Sequence, residues 1–255
     1  MNNFNLTQIP ERTIQPRESG LTMVMDKGLS TREVGDFLSM NKDYVDIIKL
    51  GFGTSYLSPN LTEKIELYHQ ADMKVYLGGT LFEAYIARKQ FNDYLELLEK
   101  LNLKCVEISD GSLDMDHDEK CAYISTFAKR GFTVLSEVGS KDASKIIAPY
   151  KWINLMQKEL NAGAWKVIAE AREGGNVGIF RGSGEVRSGL IEEILTKIPN
   201  EKILWEAPKK AQQVWFVKLL GSNVNLGNIA PNESIPLETL RLGLRADTFD
   251  LHLNK

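Results

Sequence analysis

The sequence predicts an α/β fold, a single (β/α)8 TIM-type barrel, and three observations lead to this prediction. Eight short apolar segments, rich in Val, Ile and Leu, recur along the chain. Stretches with helical periodicity separate them, and this alternation is typical of parallel strands joined by right-handed crossovers. Seven intervals of about 29 residues join the first segment to the last, so the 255-residue chain has the length of an eight-unit barrel.

Each apolar segment has the length of a buried strand and ends in polar or glycine residues. The predicted strand segments are 21–28, 44–55, 74–80, 104–112, 132–141, 165–175, 202–208 and 223–229. The alternative is an open doubly wound sheet. That fold would carry a GxGxxG turn after its first strand, whereas this chain has Asp26-Lys27-Gly28 there.

Apolar residues spaced three and four apart predict helices between the strands. The predicted helices cover residues 30–39, 61–70, 82–101, 118–130, 151–162, 189–197, 210–219 and 235–244. Gly131 and Gly163 stand where two of these helices should end, since glycine is the residue that most often follows a helix C-terminus.

Composition and charge exclude several classes of protein. Lys and Arg total 31 against 34 Asp and Glu, so no basic excess indicates nucleic-acid binding. No uncharged apolar run approaches the roughly 18 residues that span a bilayer, and the polar N-terminus does not resemble a signal peptide. The two cysteines, Cys105 and Cys121, are interpreted as reduced thiols, so we expect a cytoplasmic protein.

We expect residues 1–20 to form an N-terminal arm and residues 21–255 the catalytic barrel.

Glutamates stand near the carboxyl ends of four consecutive predicted strands. They are Glu107, Glu137, Glu170 and Glu206. Catalytic residues of such barrels lie at this end, and carboxylates among apolar residues are costly unless something pairs with them. A divalent cation would relieve their repulsion, and oxygen ligands favour Mg²⁺. A ring of ion pairs without metal is the alternative.

Basic residues near the strand ends are candidates for catalysis. Lys141 follows the fifth strand among acidic residues, where it could act as a general acid or base or hold an anionic substrate. Lys49 lies near the end of the second strand and Arg172 near the end of the sixth. All three could also pair with the strand-end glutamates.

Glycines and polar residues in the same loops are candidates for substrate binding. Gly78 and Thr80 follow the third strand, and Asp26 ends the first. Gly227 and Asn228 lie in the eighth strand, near which barrels often bind phosphate. Glycine lets backbone N–H groups approach an oxyanion, although the glycines could equally serve tight turns.

Nine short motifs along the chain together resemble the phosphosulfolactate synthase family. They are TMVMDKG, DIIKLGFGTS, GGTLFE, VEISDGS, SEVGSK, EAREGG, EAP with KKAQQ, VNLGNI and LETLRLGLRADTF, and the resemblance extends from about residue 17 to residue 249. Each motif alone is weak, whereas nine in the same order are specific.

The resemblance implies an Mg²⁺-dependent barrel enzyme that adds sulfite to phosphoenolpyruvate to give (2R)-phospho-3-sulfolactate. It implies that Lys141, which follows the Glu-Val-Gly motif, donates the proton to C2. Glu107, Glu137 and Glu170 would hold the metal, and Lys49, Arg172 and the eighth strand would hold the anionic groups. The resemblance also suggests a homo-oligomer, such as a trimer.

Two alternatives remain open from the sequence. One is another barrel lyase that acts on a phosphate substrate, for instance a Schiff-base aldolase that uses Lys49 or Lys141. The other is a non-catalytic stress-related protein on the same scaffold, because the family includes plant proteins linked to heat tolerance. Metal-dependent substrate binding would distinguish the synthase from this last class.

Overall fold

The barrel predicted from the sequence is confirmed. A computed structural model of the protein describes residues 3–140 and 147–253. Its strands are β1 Thr22–Asp26, β2 Ile47–Leu50, β3 Lys74–Leu77, β4 Cys105–Ile108, β5 Thr133–Val138, β6 Lys166–Ala169, β7 Ile203–Glu206 and β8 Leu226–Ile229. They pair in parallel in the order β3-β2-β1-β8-β7-β6-β5-β4. The end strands β3 and β4 also contact each other, which nearly closes the barrel.

Helices surround the strands. They are α1 Thr31–Asn41, α2 Thr54–Leu57, α3 Leu61–Gln70, α4 Gly79–Ala87, α5 Phe91–Lys100, α6 His117–Lys129, α7 Pro149–Ala162, α8 Ser188–Leu195, α9 Lys210–Leu220 and α10 Ser234–Arg241. Gly163 adopts a φ of 116° at the end of α7, as its position in the sequence predicts. Within the residues that the structure describes, no helix is long and apolar enough to cross a bilayer.

The prediction of one helix over residues 82–101 is wrong. The segment forms two helices, α4 and α5, and Lys89 between them adopts a φ of 60°. A lysine in this left-handed region cannot continue a right-handed helix. The apolar periodicity continues across the break because both helices pack against the same core, so the spacing alone does not reveal it.

Alternation along the strands determines which side chains face the barrel interior. Eight apolar residues fill the lower interior: Leu21, Met23, Ile47, Tyr76, Cys105, Leu135, Ile168 and Leu204. Because successive strand residues point to opposite faces, the residue two positions after each of these faces inward as well. Those next inward residues include Lys49, Glu107, Glu137, Glu170 and Glu206, and all five are buried. The fold therefore places a charged layer above the apolar layer, at the carboxyl end of the barrel.

The described residues before β1 contain no helix or strand, and their side chains bond to the barrel. The Nε of Arg12 lies 2.8 Å from the Oε1 of Glu238 in α10. The Nε of Arg17 lies 2.8 Å from the Oδ1 of Asp46, just before β2. Both arginines contact the amino-terminal half of the barrel, opposite the charged layer.

Candidate active site

A cavity of about 540 Å³ opens above the charged layer, at the carboxyl ends of the strands. The four predicted glutamates and Lys49 all line it. The start of α4 and the loops after β4 and β6 complete the wall, with Thr80, Ser112 and Arg172 respectively. This is the end of the barrel at which enzymes of this architecture bind substrate.

Three of the four glutamates form one carboxylate triad. Glu137 in β5, Glu170 directly after β6 and Glu206 in β7 each offer an oxygen, and the three oxygens lie within 4.8 Å of one another. All three residues are buried. Oxygen ligands in such an arrangement suit a hard divalent cation, and a cation would offset the repulsion between buried carboxylates. The triad could therefore hold a metal ion.

Backbone groups orient two of the triad carboxylates. The N–H of Ala171 donates to Oε2 of Glu206 at 2.8 Å, and the N–H of Arg172 donates to Oε1 of Glu170 at 2.5 Å. Gly178 adopts a φ of 58°, and a Cβ there would collide with the carbonyl oxygen of Glu170. The loop after β6 thus folds closely against Glu170 and requires glycine where it does so.

Glu107 is separate from the triad. Its Oε1 accepts a hydrogen bond from the N–H of Gly79 at 2.7 Å, and its Oε2 lies 3.0 Å from the Nζ of Lys49. A Cβ at Gly79 would collide with Glu107 and Ser109. Glu107 therefore fastens the start of α4 and lies beside Lys49, whereas the other three predicted glutamates form the group that could hold a metal ion.

Lys49 lies at the centre of the charged layer. Its Nζ is 3.0 Å from Glu107, 3.3 Å from Glu206 and 3.6 Å from Glu137. Burial disfavours the charged form, but the surrounding carboxylates outweigh it and hold the pKa of Lys49 well above its ordinary value. Burial also raises the pKa of Glu206, and Lys49 opposes that effect. Lys49 is therefore an ammonium ion at neutral pH.

Three of the predicted substrate-binding residues line the cavity: Thr80, Arg172 and Asn228. Asn228 is 5% exposed and adopts a φ of 55°. Its Oδ1 is buried and has no hydrogen-bond partner among the described residues. A buried amide oxygen without a partner is costly, so this side chain has hydrogen-bonding capacity available for a ligand.

The other three predicted binding residues lie outside the cavity lining. Asp26 is fully buried, where its carboxylate lies 2.6 Å from the Nζ of Lys64 and accepts a hydrogen bond from Tyr68 at 2.9 Å. Gly78 packs against the backbone of Phe52, and Gly227 packs against the side chain of Met23. Asp26 thus secures the turn after β1, and the two glycines allow close packing. Lys141, the predicted proton donor, lies outside the described residues.

Sequence reasoning missed how side chains outside the strand ends hold the loops around the cavity. The Nε2 of Gln212 in α9 donates to the carbonyl oxygens of Gly175 and Gly184 at 2.8 and 3.2 Å, which joins both parts of the long β6–α8 loop. Asn176 of that loop lines the cavity. Gln212 lies in the KKAQQ motif, but the spacing of that motif does not show which loop its side chain contacts.

The described lining carries an excess of negative charge. Five glutamates, including Glu173, stand against Lys49 and Arg172. An anionic ligand would be repelled from such a surface. A bound divalent cation would reduce the excess and make the cavity accessible to anions.

Comparison with known proteins identifies the family. The family model described as (2R)-phospho-3-sulfolactate synthase matches residues 10–247. The chain belongs to the phosphosulfolactate synthase family. The phosphosulfolactate synthase of Bacillus subtilis is 42% identical over 254 residues, which cover 98% of this chain and 100% of that protein. The phosphosulfolactate synthase of Methanothermobacter thermautotrophicus is 41% identical over 253 residues, which cover 97% and 98%.

Solved structures support the architecture of this phosphosulfolactate synthase family member. The crystal structure of 3-hexulose-6-phosphate synthase from Salmonella typhimurium aligns with a TM-score of 0.58 and 15% sequence identity. The alignment covers 88% of this chain and 100% of that one. At this identity the likeness concerns the barrel fold, whereas the family relationship rests on the sequence matches.

Proposed function

We propose that this protein is a phosphosulfolactate synthase that adds sulfite to phosphoenolpyruvate with the help of Mg²⁺. The observation that carries the proposal is the buried triad of Glu137, Glu170 and Glu206 beside Lys49, in a chain of this family. In the reaction the sulfur of sulfite bonds to the methylene carbon. The electron pair of the double bond moves towards C2 and the carboxylate, and C2 takes up a proton.

The cavity can bind anionic substrates only when a cation offsets its negative charge. Sulfite and phosphoenolpyruvate repel each other, and the glutamates of the described lining repel both. A divalent cation on the triad would supply positive charge beside the substrate carboxylate, where negative charge accumulates during addition. Glu137, Glu170 and Glu206 would hold it.

The side chains around the triad have complementary roles in the proposal. The ammonium of Lys49 presents a fixed positive charge, and it needs no reorganisation because three carboxylates hold it in place. The Nδ2 amino group of Asn228 would donate to a phosphate or carboxylate oxygen, its Oδ1 would accept from a protonated ligand group, and Arg172 would bind a second anionic group at the rim. These groups would orient phosphoenolpyruvate so that one face of C2 meets the acid.

Lys141 is the proposed general acid. It follows Gly139 and Ser140 after β5, the strand that supplies Glu137 to the triad. Donation of its proton to one face of C2 would set the R configuration of the product.

A Schiff-base aldolase that uses Lys49 is disfavoured. An imine forms from a neutral amine, whereas the glutamates around Lys49 raise its pKa and keep it protonated. Borohydride treatment with a carbonyl substrate should therefore leave the mass of the protein unchanged. A stable adduct on Lys49 would contradict this part of the proposal.

The proposal includes a cytoplasmic location and a homo-oligomeric assembly, without nucleic-acid or membrane partners. Two free cysteines support the location, and a formal net charge of −3 gives no basic surplus for nucleic acid. Tyr56 and Leu57 in α2 are 84% and 80% exposed, and apolar side chains of this kind favour contact with another subunit. Light scattering of the purified protein measures the mass directly, and a monomer at micromolar concentration would contradict the assembly.

The decisive experiment follows product formation by ³¹P NMR with phosphoenolpyruvate, sulfite and Mg²⁺. Glu170→Gln should weaken Mg²⁺ activation by about 10-fold or more, because it removes a charged ligand. Glu107→Gln is the matched control, because its carboxylate bonds to Gly79 and Lys49 and should affect Mg²⁺ activation less. Absence of phosphosulfolactate with the wild-type protein and saturating Mg²⁺ would refute the proposed function.

A further inference from the structure

We infer that Lys120 is a positioning residue that sets Glu137 in the carboxylate triad and thereby tunes the divalent-cation site. The inference rests on the proposed function, because that proposal assigns the cation to the triad. Lys120 lies in the first turns of α6, outside the barrel wall, and does not line the cavity. Its effect on the cation would therefore pass through Glu137.

Lys120 reaches the backbone of the triad residue itself. Its Nζ donates to the carbonyl oxygen of Glu137 at 2.5 Å. The same ammonium lies 2.9 Å from Oδ1 of Asp110, just after β4, and 2.9 Å from Oε1 of Glu159 in α7. One buried side chain thus ties the ends of β4 and β5 to the two helices that cover them.

The position of Glu137 in the sheet explains why it needs this contact. The ladder between β4 and β5 ends with the pair Ile108–Ser136, one residue before Glu137. Beyond that pair the ammonium of Lys120 takes the place of a strand neighbour for the Glu137 carbonyl. On the other edge, Val138 accepts a hydrogen bond from the N–H of Glu170 at 3.0 Å. Lys120 therefore holds the edge of β5 that faces β4 beyond the last pair of that ladder, whereas the ladder with β6 continues through Glu137 and Val138.

The burial of the ammonium distinguishes Lys120 from an ordinary helix lysine. Lys120 is 1% exposed and Glu159 is fully buried, whereas lysines on barrel helices are usually solvated. Burying an ion pair brings little net stability over apolar side chains of similar size, but it fixes geometry through directional bonds. Here the fixed group is the peptide that carries a triad carboxylate.

The test compares Lys120→Met with Lys166→Met by titrating Mn²⁺ and measuring free ion by electron paramagnetic resonance. Lys166 is a matched buried lysine, 2% exposed, at the opposite end of the barrel. It donates to the carbonyl oxygens of Glu18 and Glu201, both at 2.8 Å. We expect Lys120→Met to weaken Mn²⁺ binding by about 10- to 100-fold, the usual range for groups that orient metal ligands. Lys166→Met should leave the affinity within about twofold of the wild type, because no triad residue depends on it.

A second variant separates positioning from folding. Lys120→Met removes the ammonium that pairs with the buried Glu159 carboxylate, and this could prevent folding. The double variant Lys120→Met/Glu159→Gln also removes the charge of Glu159. It provides a folded protein should the single variant fail to fold. The double variant should bind Mn²⁺ as weakly as expected for the single variant. Wild-type affinity in either folded variant, or an equal loss in Lys166→Met, would overturn the inference. A wild-type protein that binds no Mn²⁺ would overturn the cation site of the proposed function, and the inference with it.

Discussion

Replacing Lys49 with methionine tests the charged layer most directly. Methionine keeps the length and apolar stem of lysine but removes the ammonium that lies 3.0 to 3.6 Å from three glutamates. Without metal, no other described cationic side chain forms an ion pair with Glu107 or Glu206. The variant therefore leaves buried carboxylates uncompensated in the metal-free protein.

The expected loss of stability is large. Removing one partner of a buried ion pair costs about 3–5 kcal/mol, because the remaining charge stays buried. Lys49 faces three carboxylates, so the upper part of this range applies at pH 8. Because a typical domain is stable by only about 5–15 kcal/mol, the loss should be evident in urea unfolding.

The pH dependence of the free energy of unfolding shows whether uncompensated carboxylates cause the loss of stability. Burial raises the pKa of Glu206 above its value in the unfolded chain, and loss of Lys49 raises it further. A carboxyl group with a raised folded-state pKa stabilises the protein at low pH and loses that contribution as the pH rises through the folded-state pKa. The free energy of unfolding of Lys49→Met, measured in EDTA, should therefore increase from pH 8 to pH 5. Each unit of additional pKa shift corresponds to about 1.4 kcal/mol.

Lys64→Met is the matched control. Lys64 is also buried and lies 2.6 Å from Asp26, but that carboxylate keeps hydrogen bonds from Tyr68, Gly28 and Leu29. Its stability should show no comparable recovery at pH 5. A Lys49→Met protein that is as stable as the wild type at pH 8, or that recovers no more than Lys64→Met on acidification, would refute the reasoning.

Three further predictions concern single residues. Lys141→Ala should abolish turnover while circular dichroism shows an intact fold; near-normal turnover would exclude it as the acid. Asn228→Ala should raise the KM for phosphoenolpyruvate by about 10-fold or more, since the proposed hydrogen bond to a charged group would be lost; an unchanged KM would remove it from the binding site. Burial raises the pKa of Cys105 to about 12, so a thiol reagent at pH 8 should label Cys121 first, as peptide mapping would show; faster labelling of Cys105 would contradict its burial.

Much of the fold followed from local patterns. Short apolar segments that alternate with stretches of helical periodicity predict parallel strands and helices. The reason is that burial of a strand or of one helix face requires apolar residues at a regular spacing. The helix break at Lys89 was missed, since a left-handed backbone angle changes no apolar spacing. The charged layer was also predictable: a glutamate two residues after an apolar inward residue, as in Cys105 and Glu107, faces inward by alternation.

The partners of the charged groups were decided by the tertiary structure. The sequence determined that glutamates stand at the ends of four strands, but not that Glu107 would bond to Gly79 and leave three carboxylates for a cation. Nor does any local pattern show that Lys120 turns inward from a helix. Hydrogen bonds and ion pairs act over about 3 Å, and residues as distant in sequence as Lys49 and Glu206 approach that closely only once the barrel closes.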